Sequence, residues 1–170
     1  MRRPTFGSLV SRALAAADQI SPPAIAEAHC DIPCGIYDPH LMQIAALSVL
    51  RMNQLIDGLG DDAAKTKANL SRYIAVKEEH AELVKREVRI IFGDYFKPEH
   101  LEKYPDLPAF GWEMLKLAGK NRQEINMQAA QDLLAQTQKF AEIFWDTKGV
   151  PTKRQPSNQA VGGELVVPAN

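Results

Sequence analysis

From residue 38 to residue 149 the chain repeats one pattern, in which apolar residues recur at steps of three and four between glycine and proline breaks. Asp38 and Pro39 supply an N-cap and a first helical position, and Gly58 and Gly60 end the first segment. Its predicted core-facing stripe is Leu41, Ile44, Ser48, Met52, Leu55 and Leu59. This spacing predicts an amphipathic helix, and the chain contains no strand-rich region.

A second helix is predicted to begin near Asp61 or Asp62. Its core-facing positions again alternate between steps of three and four, and Lys77 interrupts them. They are Leu70, Ile74, Ala81, Val84, Val88 and Ile91. Such a seam suits antiparallel packing in a helical bundle.

Two further helices are predicted in the second half of the chain. The third runs from about Pro108 to Ala118 and is closed by Gly119. Asn121 followed by Glu124 has an N-capping pattern for the fourth. The stripe of the fourth includes Ile125, Ala129, Leu133, Phe140 and Phe144. Together the four segments predict an all-α fold, an up-down four-helix bundle.

The two ends of the chain differ from this helical middle. Residues 1–28 end in Ala26-Glu27-Ala28, a small–x–small sequence typical of a processing site. This pattern leaves open a frayed terminus or a propeptide removed before His29. Residues 150–170 are rich in Pro, Gly, Ser and Asn and are predicted to form a flexible C-terminal tail. The folded unit is therefore predicted to occupy residues 29–149.

Charge and hydropathy exclude two classes of partner. The formal net charge is −1, without the clustered basic excess of a nucleic-acid surface. No apolar run approaches the roughly 20 residues that span a bilayer. The sequence therefore predicts a soluble protein without a membrane partner. The weak leader favours a cytoplasmic location, and export stays open.

Cys30 and Cys34 are the only cysteines, and His29 precedes the first of them. Their spacing alone is equally compatible with a metal site, a local disulfide or inert thiols. If the chain is cut before His29, this residue provides a free amine beside its imidazole. The amine, the backbone nitrogen and sulfur of Cys30, and the sulfur of Cys34 then form a set of two nitrogens and two sulfurs. A planar set of this kind favours Ni(II) or Cu(II) over zinc.

The eleven residues His29–Pro39, HCDIPCGIYDP, resemble the nickel hook of nickel superoxide dismutases at every fixed position. Two further stretches resemble the same family. One is Asp94–Pro98, followed by Glu102–Pro105, and the other is Ile143–Lys148. The resemblance spans roughly residues 29–148. It implies a four-helix bundle with an N-terminal metal-binding hook.

The resemblance also implies an activity and a set of roles. The activity is conversion of superoxide to oxygen and hydrogen peroxide by Ni(III)/Ni(II) cycling, with one nickel ion per subunit of a homohexamer. The resemblance further implies maturation by a protease that cuts before His29. The implied metal ligands are His29, Cys30 and Cys34. The implied substrate-controlling residues are Asp31, Tyr37, Tyr95 and Lys97, the first two restricting access and the others lying near the site entrance.

Two positions depart from the family pattern. Ala45 and His80 correspond to a carboxylate and an arginine that brace the axial histidine in familiar members, so that bracing must differ or be absent. A role of His80 as a substitute hydrogen-bond partner stays open. An exposed helix histidine is the plainer interpretation of His80, and the same holds for His40 and His100 as surface residues. The proton donor stays open among a thiol, Tyr37 and ordered water.

Two other functions remain compatible with the residues. A helical thiol sensor would use a reversible Cys30–Cys34 disulfide, work uncleaved and dispense with His29. A protein that stores or delivers copper or nickel would bind metal without turnover. The nickel enzyme alone requires cleavage before His29.

Overall fold

The computed structural model describes residues 35–60 and 62–169, together with Val10, Ser11 and Ala16. The predicted propeptide and the hook residues 29–34 fall almost wholly outside this range. The helices are α1 (His40–Asp57), α2 (Ala63–Ile90), α3 (Pro98–Lys103), α4 (Leu107–Gln123) and α5 (Met127–Thr147). A π-helical turn, Ile91–Tyr95, follows α2, and the chain closes with strands β1 (Thr152–Pro156) and β2 (Glu164–Pro168).

The four long helices form a closed bundle. α1 packs against α2 and α5, and α4 packs against the same two helices. Each long helix therefore has two neighbours, which confirms the predicted four-helix bundle. The core between them includes Met42, Val84, Val88, Met114, Leu133, Phe140 and Phe144. Within the described residues, no helix is long and apolar enough to cross a membrane.

Short polar side chains fix where the helices begin. The Asp38 carboxylate accepts a hydrogen bond from the backbone N–H of His40 at 2.7 Å. Asp62 caps α2 by accepting from the N–H of Lys65 at 3.1 Å. The start of α2 agrees with the sequence prediction. α1 begins one residue later than predicted, because Pro39 is its N-cap and His40 its first helical residue.

The boundary between α4 and α5 differs from the prediction. Gly119 does not close α4, which continues to Gln123. The N-cap of α5 is Asn126, whose side chain accepts from Ala129 N–H at 2.9 Å. Asn121 instead lies buried inside α4 and donates to the carbonyls of Leu117 and Ala129. One of these partners, Ala129, lies in the next helix, and a local capping pattern cannot reveal such a contact.

The buried face of α1 is rotated from the predicted stripe by about one residue. Leu41 is 45% exposed, and the core positions include Met42, Ala45, Val49 and Asn53. Small and polar residues on the packed face hid it from a hydrophobicity pattern. The prediction for α5 holds from Ala129 onward, whereas Ile125 is exposed.

Lys77 is buried in the core together with the stripe of α2 that it was predicted to interrupt. Its side chain is only 1% exposed. The Nζ atom donates to the carbonyl of Asn121, and to that of Glu124 at 2.8 Å. Burial lowers the pKa of Lys77, and the Glu78 carboxylate opposes this shift. The lysine thus ties α2 to the open end of α4, where helical carbonyls lack partners in their own helix.

The predicted flexible tail is wrong for residues 150–169. β1 and β2 pair antiparallel, with Arg154 opposite Val166 and Gln155 opposite Leu165. Leu165 and Val166 are 6% and 1% exposed, in contact with α1 and α5. Composition favoured disorder because most of the segment is polar. Two adjacent apolar residues supply enough buried surface to hold the hairpin on the bundle.

Buried amides on the helices anchor this hairpin. The Gln43 side chain donates to the carbonyl of Val166 at 3.0 Å and accepts from its N–H at 2.8 Å, as a neighbouring strand would. Gln138 donates to the carbonyl of Glu164 at 2.8 Å. These bonds satisfy the inner edge of β2, which would otherwise be buried without partners.

Candidate metal centre and its surroundings

A tyrosine pair connects the end of the hook sequence with the bundle. Tyr37 lies three residues after Cys34 and is half-buried. Its ring centroid lies 5.8 Å from that of Tyr95, with a tilt of 54°. This spacing is typical of a favourable aromatic contact. The structure therefore brings together two of the predicted site residues that are far apart in sequence.

The π-helical turn places Tyr95 at this position. The backbone N–H of Phe96 donates to the carbonyl of Ile91 at 3.3 Å, the five-residue bond that defines such a turn. The Tyr95 ring then packs 4.6 Å from Phe144 of α5. Turns of this type frequently occur at functional sites, and this one was not predicted.

A hydrogen-bond relay fixes the orientation of the Tyr95 hydroxyl. Its oxygen lies 2.9 Å from Thr147 Oγ1. Thr147 Oγ1 donates its only proton to the carbonyl of Phe144 at 2.6 Å, because a carbonyl can only accept. It follows that the Tyr95 hydroxyl donates to Thr147. The phenol O–H is thereby aimed at α5.

Lys148 provides a positive charge beside the tyrosine pair. Its Nζ lies 5.4 Å from the ring centroid of Tyr95, 4.7 Å from that of Phe144 and 5.6 Å from that of Trp145. Such contacts favour a cation over an aromatic face. Because the lysine side chain remains exposed, its charge also attracts anions from solution.

His100 supports the segment that carries Tyr95 and Lys97. Its ring stacks on Tyr95, with centroids 5.3 Å apart and an angle of 18°. Its Nδ1 accepts from the backbone N–H of Lys97 at 3.2 Å, so the neutral ring carries its proton on Nε2. The prediction of a surface histidine is wrong for half-buried His100 and confirmed for exposed His40. Lys97 itself is exposed at the start of α3.

A second contact joins the end of α3 to the end of α5. Asp146 accepts from Lys103 Nζ at 2.5 Å and from the hydroxyl of Tyr104. The hydrogen bond from Lys103, followed by that from Tyr104, holds the pKa of Asp146 below its ordinary value. Burial, together with the nearby Asp146 carboxylate, raises the pKa of Tyr104 to about 12. At neutral pH the contact therefore consists of an anion, a cation and a neutral phenol.

The predicted site residues fall into two groups. The structure brings together Tyr37 and Tyr95 and places Lys97 two residues after Tyr95, at the start of α3. His29, Cys30, Asp31 and Cys34 lie outside the residues that the structure describes. Within residues 35–60 and 62–169, no group of three His, Cys, Asp or Glu side chains could hold a metal.

Three neighbours of Tyr95 were not predicted as site residues: His100, Thr147 and Lys148. The signal was present, since Thr147 and Lys148 belong to a stretch that carries the family resemblance, and His100 lies between the two parts of another.

Ala45 and His80, the two positions that depart from the family pattern, lie on α1 and α2. Ala45 is fully buried between helices. His80 is half-buried, so the prediction of an exposed histidine is wrong for this residue. Its Nδ1 bonds to the carbonyl of Val76 at 2.9 Å. The Nδ1 atom carries the proton in this bond, because a carbonyl only accepts. Its proposed role as a partner of the axial histidine remains a prediction.

Comparison with known proteins identifies the family. Residues 24–148 match the family model described as nickel-containing superoxide dismutase. The chain belongs to this family. It is 39% identical over 131 residues to the superoxide dismutase (Ni) of Streptomyces coelicolor, covering 75% of this chain and 94% of that relative. The relative of the same name from Streptomyces seoulensis is 33% identical over 128 residues, with the same coverage.

Solved structures of nickel superoxide dismutase share this fold. A native structure at 1.30 Å has a TM-score of 0.63 and 36% identity, covering 71% of this chain and 99% of that one. A structure with nickel ligation of the oxidised state has a TM-score of 0.64 and 33% identity, with the same coverage. The family match ends at Lys148. The hairpin of β1 and β2 therefore lies beyond the matched region of this superoxide dismutase.

The contacts of His100 predict a measurable loss of stability. Replacing His100 with Phe keeps an aromatic ring but removes the acceptor for Lys97 N–H. We expect the free energy of unfolding to fall by about 1 kcal/mol, the usual net contribution of one hydrogen bond. His100→Asn, whose side-chain oxygen can accept the same bond, should recover part of it. Urea unfolding measures both variants; equal stability of His100→Phe and the parent chain would show that the bond contributes nothing.

Proposed function

We propose that this chain disproportionates superoxide at a nickel ion bound by its His29–Cys34 segment, after cleavage before His29. The observation that carries the proposal is the family match, which includes all of this segment. The contact between Tyr37 and Tyr95 supports it, because it fixes the chain only three residues beyond Cys34 to the bundle.

The chemistry of the donor set fits nickel. His29 would contribute its amine and imidazole, Cys30 its backbone nitrogen and thiolate, and Cys34 a second thiolate. Thiolates and imidazole are ligands that nickel accepts readily. Bound nickel would supply the one-electron Ni(III)/Ni(II) couple needed to take an electron from one superoxide and return it to a second. An uncut chain lacks the His29 amine, since that nitrogen is then part of a peptide bond.

The protein side chains around this segment would control access and charge. We assign Tyr37 and Asp31 to the restriction of access to small anions. Tyr95 would hold Tyr37 in place, since its own hydroxyl is committed to Thr147. Lys97 and Lys148 would raise the encounter rate with superoxide, an anion, through their positive field.

Assembly, processing and location complete the proposal. We infer a homohexamer, as the resemblance implies, and a maturation protease acting at Ala28–His29. The weak leader supports a cytoplasmic location.

A metal comparison tests the proposed activity. Chains that begin at His29 are loaded separately with nickel, copper and zinc, and superoxide decay is followed by pulse radiolysis. We expect about one nickel per chain and fast turnover only in the nickel form, because zinc has no redox couple. Equal turnover with copper would contradict the assignment to nickel. Binding without turnover for every metal would favour a storage or delivery protein.

A further inference from the structure

An open groove lies between helices α1 and α2 and the tip of the hairpin. Its volume is about 380 Å³, within the usual range for small-molecule sites. The floor is apolar and includes Ile44, Met52 and Val76. Ala160 and Val161, at the hairpin tip, form the opposite wall. Since the family match ends at Lys148, this wall comes from outside the matched region.

The rim of the groove carries one permanent charge, the guanidinium of Arg51. None of the residues that line the groove is acidic. Among the described residues, Arg51 has no carboxylate partner, and its Nη1 donates only to Gln54 Oε1 at 3.2 Å. A guanidinium has five N–H donors, so most of its capacity is unused by protein groups. The groove therefore favours an anion.

The hairpin also positions this arginine. Gln54 accepts from Arg51 through its side-chain oxygen and donates to the carbonyl of Val161 through its nitrogen, at 3.1 Å. The guanidinium is thus connected through one amide to the backbone of the hairpin tip. Such support reduces the rotamer freedom that a ligand would have to restrict.

We propose that this groove binds a small molecule with one carboxylate and an apolar body, such as a medium-chain fatty acid. The apolar floor accommodates the body, and Arg51 receives the carboxylate through charge-assisted hydrogen bonds. His80, at the position that braces the axial histidine in familiar members, also lines this groove; the proposed ligand uses Arg51 and the apolar floor and none of the proposed nickel ligands.

Binding of octanoate to the full chain tests this proposal. 1-Octanol and octyltrimethylammonium serve as ligands with the same apolar chain and a neutral or positive head. We expect octanoate to bind at least about tenfold more tightly than octanol, the effect of one charge-assisted pair. Amide shifts in two-dimensional NMR should concentrate at Val76, Ala160 and Val161. Equal affinities for octanoate and octanol, or shifts elsewhere, would overturn the proposal.

Three variants separate the charge from the groove. Arg51→Gln should lower octanoate affinity to that of octanol, whereas Arg86→Gln removes an exposed arginine outside the groove and should change nothing. Ala160→Trp places a large ring at the exposed hairpin tip and should block both ligands. Unchanged octanoate binding in either Arg51→Gln or Ala160→Trp would contradict the assignment.

Discussion

Replacing Cys30 or Cys34 with serine is expected to remove nickel and lower superoxide turnover by at least about 100-fold. Even changes to groups that only orient metal ligands often cost 10- to 100-fold in affinity or activity, and these residues are proposed as ligands themselves. A serine hydroxyl stays protonated at neutral pH and donates electrons weakly. Both the affinity for nickel and access to the oxidised metal should therefore fall.

The same variants distinguish the nickel enzyme from a thiol sensor. Metal content is measured together with turnover, and circular dichroism reports whether the bundle remains folded. The sensor hypothesis expects no nickel in the parent chain and therefore no metal loss in the variants. A Cys34→Ser chain that retains one nickel and full activity would contradict the ligand assignment.

The hairpin provides the second large effect. Leu165→Ala is expected to lower the free energy of unfolding by about 2–5 kcal/mol, the range for deleting a buried leucine side chain. A flexible tail would predict no change. Urea unfolding measures the effect, with Lys153→Ala on the exposed side of β1 as the control. A loss no larger than that of the control would mean that the hairpin does not pack on the bundle in solution.

Two adjacent glycines refine this test. Gly162 and Gly163 have φ values of +77° and +76°, so alanine is strained at both. A Cβ at Gly163 would lie 3.2 Å from methyl carbons of Leu47 and Leu134, whereas a Cβ at Gly162 meets open space. Gly163→Ala should therefore be more destabilising than Gly162→Ala. The difference between them reports contact of the hairpin with α1 and α5.

Local sequence signals predicted most of the bundle. The Asp62 cap and the Asp38 bond to His40 act within three residues, so they can be recognised without knowing the fold. The predictions failed where the structure depends on contacts between residues that are far apart in sequence. Lys77 and Asn121 are buried because they satisfy carbonyl groups at the junction of α4 and α5. The hairpin depends on Gln43, which is more than a hundred residues away in sequence.

The residues of the candidate site were likewise predicted only in part. Tyr95 and Lys97 were predicted from the family resemblance, and the structure places Tyr95 in contact with Tyr37. The neighbours that orient Tyr95 were missed, because stacking by His100 and the bond to Thr147 depend on the π-helical turn. No periodicity in the sequence marks a turn of this kind.

The most direct test compares superoxide turnover and nickel content of two chains, one that begins at His29 and one that retains residues 1–28. A third chain with a single alanine before His29 controls for the length of the leader. The account predicts about one nickel and full turnover only when His29 is the first residue, because only then is its amine free. Comparable turnover in the uncleaved chain would contradict it, as would a folded, nickel-supplied trimmed chain without activity.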